Sequence, residues 1–193
     1  MKFIKYFALF LLLQGCGTDY EWGWYILSPN NVEGLTNLRF LISGITTTIY
    51  ISVISIILAM FIGLVVAIPS ISNNKFLSYF NIAYVEIVRA IPLLVLILWI
   101  YYGLPIMMGI SFSPFVSGII ALTISESAFQ AEIFRAGINS INKGQHEVAG
   151  SLGMDFWKKM RFVILPQAIK VVLPALGNQF VYVLKMSSLV SII

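Results

Sequence analysis

Two ionisable residues stand inside runs where charge is expensive. Glu126 lies in Ser125-Glu126-Ser127, and Lys185 in Lys185-Met186-Ser187-Ser188. Both runs are otherwise apolar. A charge at the centre of a bilayer costs roughly 2.5–3.5 kcal/mol on insertion scales, so it faces protein or a water-filled path. Glu126 and Lys185, with the hydroxyls of Ser187 and Ser188, are therefore candidates for a polar path through the bundle. For Glu126 a satisfied contact between helices is the alternative. Glu86 and Arg89 lie one helical turn apart and are expected to form a structural ion pair. Little else can do chemistry. His146 is the only histidine and Cys16 the only cysteine. That excludes a disulfide framework, a cysteine-based metal site and a nucleophile–His–acid set. No GxxxxGK[ST] loop occurs, so no nucleotide cofactor is expected on this chain.

The elements that position these residues are membrane helices. The 193 residues are 59% hydrophobic and 10% charged, with a formal net charge of +4. Soluble domains carry about a quarter charged residues. The chain therefore reads as an all-α, polytopic helical membrane protein whose first partner is the lipid bilayer. Its basic excess requires no nucleic acid, because the charges fall in particular loops.

Four full spans are predicted. The first lies within Leu41 to Ile71, with Gly44 and Gly63 as sites of close helix approach. The second lies within Phe76 to Tyr102, with Pro92 tolerated inside it and Gly103 and Pro105 stopping it. The third runs from Pro114 to about Ile133, and the fourth from Val171 to Ile193. Lys75 and Arg89 flank the loop between spans one and two, and six cations follow span three. Residues 103 to 113 carry no charge. The bias of Lys and Arg places the first and third loops on the cytoplasmic side and residues 17–40 outside.

The N-terminus has its own grammar. Lys2 and Lys5 precede a short apolar run, Tyr6 to Leu13, as in an export signal. Leu13-Gln14-Gly15-Cys16 resembles a bacterial lipoprotein cleavage box, which makes Cys16 a candidate for lipidation. Residues 1–16 form this signal-like segment. Residues 17–40, with Trp22, Trp24 and Tyr25, form an amphipathic lead-in on the periplasmic face. Residues 41–193 form the membrane domain, with a cytoplasmic loop over about 136–168.

That loop contains the polar island Gly144 to Pro166, GQHEVAGSLGMDFWKKMRFVILP. Val148 and Leu152 are four apart, and Phe156, Trp157 and Met160 follow at helical spacing. Gly153 can end one helix in the left-handed region, and Asp155 can cap the next. Two short helices hinged at Gly153 are expected, with Pro166 turning the chain back towards the membrane. An apolar ridge between charged flanks suits a groove on a soluble protein; packing on the ends of the spans is the alternative.

The loop resembles the signature of permease subunits of bacterial ATP-binding-cassette (ABC) importers: EAA, three residues, G, nine residues, I, one residue, LP. Here it stands as Glu147-Val148-Ala149, Gly153, Val163, and Leu165-Pro166. Arg89-Ala90-Ile91-Pro92-Leu93-Leu94, Glu132-Ile133-Phe134-Arg135, Gly144-Gln145, Leu165-Pro166-Gln167-Ala168 and Lys185-Met186-Ser187-Ser188-Leu189 are similar to the polar amino acid branch, which takes up histidine, glutamine and arginine. The resemblance spans about residues 41–193.

It implies the ABC importer permease fold and a transporter subunit rather than an enzyme, in the bacterial inner (plasma) membrane. It also implies one further span after the fourth, which this sequence lacks. The implied partners are ABC ATPase subunits, which carry ATP and Mg, a second permease copy or homologue, and a periplasmic amino acid-binding protein. The loop would be the ATPase-coupling element, with Gly144, Glu147, Ala149, Leu152, Gly153 and Pro166 as its key residues. On this reading Ala149 and Gly153 keep the helix slim, and Glu147 sits in its first turn, at the positive end of the dipole. Glu126 and Lys185 would meet the charged ends of a zwitterionic substrate, or gate its path.

Overall fold

A computed structural model describes residues 23–71 and 75–193. The export-like segment, with Cys16, lies outside the described residues. The chain divides into two compact units, one reaching to Ile45 and the other Thr46–Ile193. A 3-10 turn at Trp24–Leu27 and the start of a long helix, α1, Val32–Ile71, belong to the first, and residues 46–71 of that helix to the second. Asn37 donates its side-chain amide to the Ile26 carbonyl at 3.0 Å. Gly34 lies so close to the Ser28 carbonyl oxygen that a Cβ would meet it at 2.0 Å. The lead-in expected up to residue 40 is thus helical from Val32, because nothing between there and Leu41 interrupts the backbone ladder.

All described elements of the second unit are helical. α2, Lys75–Ala90, is followed by α3, Leu93–Leu98, a π turn at Trp99–Gly103, and α4, Leu104–Met108. The second span is not one rod. Asn81–Ala90 and Leu93–Met108 meet at 91°. Pro92 has ψ 131, outside the helical region, and it lacks the N–H that would continue the ladder. Gly103 and Pro105 do not stop the helix as expected; the π turn carries the chain through them. The stop comes at Gly109, whose φ of +69 ends α4.

α5, Pro114–Asn139, is capped by Ser113 and has Pro114 at its start. This is the axis of the unit. Ala121 and Leu122 pack with Ile51, Leu96, Ile97, Ile100 and Val190 at one end. Ala131 packs with Ala67 and Val85 further along. Beyond its C-terminus, Ile141 packs with Ile164 and Ala168.

The loop helices are α6, Lys143–Ser151, and α7, Phe156–Lys159. A second π turn, Met160–Ile164, leads into α8, Leu165–Met186, and a closing 3-10 segment, Ser187–Ile192. Pro166 therefore turns nothing. It sits at the start of α8, one residue beyond the π turn's C-cap Leu165. The wider turn receives a residue without an N–H and keeps the path helical.

Val32–Pro69 and Phe156–Ile192 are long and apolar enough to cross a membrane, and the bent pair makes a third if counted as one span. α5, about 39 Å long at 1.5 Å per residue, is long enough but too polar to stand among them, so the third expected span, Pro114 to about Ile133, is not one of these candidates. It buries Ser117, Thr123, Ser125, Glu126, Ser127 and Gln130, because its neighbours, rather than lipid, surround that face.

Candidate functional site

The loop is built from its caps outward. Asn142 accepts a hydrogen bond from the Gly144 N–H at 2.8 Å and starts α6. Its end is a Schellman motif: Gly153 N–H bonds the Gly150 carbonyl (2.9 Å) and Met154 N–H bonds Ala149 (3.1 Å). Gly153 has φ +72, the left-handed conformation that glycine adopts without strain. Asp155 accepts from Lys158 N–H at 2.8 Å and starts α7. The expected pair of helices hinged at Gly153 is present.

Two details of the reading change. Glu147 is the fifth residue of α6, beyond its first turn, because the Asn142 cap starts the helix at Lys143. Ala149 is 1% exposed. Its small side chain serves close packing within this chain, whereas Gly153 has open space where a Cβ would be and is needed for its φ.

The ridge divides as well. Met160 packs inward beside Ile141, Ile164 and Ala168. Val148 (60% exposed), Leu152 (71%), Phe156 (53%) and Trp157 (77%) face outward. Phe156 and Trp157 meet edge to face at 5.6 Å. This outward set does not pack on the ends of the spans. Gln167 anchors the base, donating to the Val163 carbonyl at 2.9 Å and reaching Gln145 at 3.4 Å.

The charges inside the spans separate. Glu126 is fully buried and accepts from Gln179 Nε2 on α8 at 2.5 Å. Lys185 is exposed, in the last turn of α8. It is therefore not the buried charge that its apolar run suggests; its position favours the helix C-terminal dipole instead. Glu126 and Lys185 form no ion pair. Ser187 is buried and bonds the Leu184 carbonyl, while Ser188 is exposed and bonds Lys185.

The expected Glu86–Arg89 pair is replaced. Both residues are exposed, and the Arg89 guanidinium lies 5.0 Å over the Phe129 ring. Among the described residues the ion pair is Glu132–Arg135, a two-bond fork at 2.5 and 2.9 Å. A cation on an aromatic face keeps one side hydrated, which an exposed Arg prefers to losing rotamer freedom in a surface pair.

Sequence reasoning missed Gln130, Gln179 and the Tyr84–Ser127 hydroxyl pair, which bonds at 2.7 Å. The signal was available: polar residues in apolar runs, with Gln130 one turn beyond Glu126. Asn81, hydrogen-bonded to the Val66 carbonyl, belongs with them.

Residues 55–193 match the binding-protein-dependent transport system inner membrane component, and the chain belongs to that family. It is 43% identical over 157 residues to a probable glutamine ABC transporter permease of Bacillus subtilis, covering 81% of this chain and 72% of that one. An arginine transport system permease of the same organism is 33% identical over 159 residues, covering 82% and 73%. A crystal structure of an amino acid ABC transporter with histidines superposes with a TM-score of 0.76 at 41% identity, over 84% of this chain and 77% of that one. An inward-facing methionine ABC transporter shares the fold, with a TM-score of 0.66 at 23% identity, over 76% and 71%.

Proposed function

We propose that this chain is the multi-pass permease subunit of an ATP-driven amino acid importer, coupled through α6 and α7 to a separate ATPase. The observation that carries this is the outward ridge Val148, Leu152, Phe156 and Trp157. A water-facing loop rarely leaves such an apolar ridge uncovered without a partner. Its helices are short, individually capped and anchored at Gln167, so they present one fixed shape to a groove. Relatives named for glutamine and arginine transport support an amino acid as the cargo. ATP and Mg belong to the partner, since this chain has no phosphate-binding loop. A second permease subunit and a periplasmic binding protein complete the machine.

Lys185 and Ser188, both exposed near the end of α8, are proposed to face the translocation path, with Ser187 supporting the same turn. The test is reconstitution with the ATPase and binding protein. Labelled amino acid uptake should accompany ATP hydrolysis. Val148→Glu or Trp157→Ala should cut stimulated hydrolysis at least tenfold while the subunit still inserts. Uptake of sulfonates or peptides instead of amino acids would move the chain to another importer branch. Wild-type stimulation in both variants would remove the docking role.

A further inference from the structure

The most unusual group in the bundle is a carboxyl with no cation beside it. Glu126 has no exposed surface. One oxygen, Oε2, accepts from Gln179 Nε2, and the other, Oε1, has no hydrogen-bond partner. One turn further along the same face, Gln130 is also fully buried, and both its amide oxygen and its amide nitrogen are unpartnered.

The surrounding charges are committed elsewhere. On α5, Glu132 and Arg135 pair with each other. On α2, Arg89 lies over Phe129 and Glu86 is exposed, while the Tyr84 hydroxyl bonds Ser127. On α8, Lys170 and Lys185 are exposed. On α1, Tyr50 is exposed. A carboxylate buried with one neutral hydrogen bond would bear most of its desolvation cost uncompensated. A carboxylic acid bears little of it, because its carbonyl oxygen accepts and its hydroxyl donates.

We propose that Glu126 is carried as a neutral carboxylic acid that accepts from Gln179 and donates to Gln130, pinning α5 to α8 without a charge. The i to i+4 spacing brings the two side chains about 5–6 Å apart at Cβ. A rotation of either one, or one bridging water, closes the second bond. Glu126 is then a positioning residue. It fixes the register of the helix that carries the loop, and needs no contact with cargo. This holds whatever the transporter carries.

Infrared spectroscopy of the full chain in lipid nanodiscs at neutral pH tests it. The wild type should show the carbonyl stretch of a protonated carboxyl, and Glu126→Gln should abolish it. Gln179→Leu should move that band to higher frequency, since a hydrogen bond to the carbonyl is lost; Gln130→Leu should move it as well, through the hydroxyl. Glu126→Gln, which offers the same donor and acceptor, should melt with the wild type, whereas Glu126→Leu should melt lower. No band dependent on Glu126 would overturn the neutral state. A band that ignores both glutamine variants would overturn the pairing. A Glu126→Gln melting loss as large as that of Glu126→Leu would show that the charge itself is needed.

Discussion

Gly153 and Ala149 are both small residues of one loop, and the structure separates what each is for. Gly153 is required by its φ of +72. A residue with a Cβ pays roughly 1–2 kcal/mol in that region, and a β-branched one pays more. Gly153→Val should therefore lower substrate-stimulated ATP hydrolysis about tenfold, and Gly153→Asn much less, read in the reconstituted complex. Ala149, at 1% exposure, should reject size rather than shape. Ala149→Leu should destabilise the loop by about 1–3 kcal/mol through overpacking, measurable as faster proteolysis of residues 143–159. Among the ions, Glu132→Gln breaks the two-bond fork with Arg135, but both side chains are about a third exposed. Its cost should stay near or below about 1 kcal/mol, and Glu86→Gln should cost nothing measurable by thermal melting.

At the scale of elements, α5 is held by close approaches. A Cβ on Gly63 would meet Ser127 O at 2.9 Å and Ala131 N at 3.0 Å, whereas one on Gly44 meets nothing within 4 Å. Gly63→Ala should lower the melting temperature by several degrees, since backbone atoms cannot move aside and overpacking costs about 1–3 kcal/mol. Gly44→Ala should be neutral or slightly stabilising. Equal effects would remove the crossing as the reason for Gly63.

The sequence revealed some of this and hid the rest for physical reasons. The caps at Asp155 and Gly153 were legible because capping is local and depends on residue type. The 91° break at Pro92 was not, because proline bends or merely interrupts a helix according to what packs around it. Both π turns were hidden because they add a residue without altering composition. Lys185 misled because an apolar run measures the average around a helix, and one face of α8 is open.

At the scale of the second unit, two clusters along α5 and a third just beyond its end tie the helices together. The last of them, Ile141, Ile164 and Ala168, joins the end of α5 to the base of α8. Ile164, with no exposed surface, is the middle of that connection. Ile164→Ala should leave insertion intact and cost about 2–5 kcal/mol of stability. It should also uncouple hydrolysis from uptake, seen as more ATP consumed per amino acid imported.

The π turn at Met160–Ile164 sets an angular phase. Each residue of an α-helix advances the chain by about 100°, and a π turn holds one residue more than an α turn. Deleting one residue there would leave an unbroken helix. It would also rotate everything beyond by about 100°, turning Val172 away from Gly137 and Gln179 away from Glu126. The length of this one turn decides which side of α8 faces α5, so a helix can be intact in every bond and still be wound to the wrong hour.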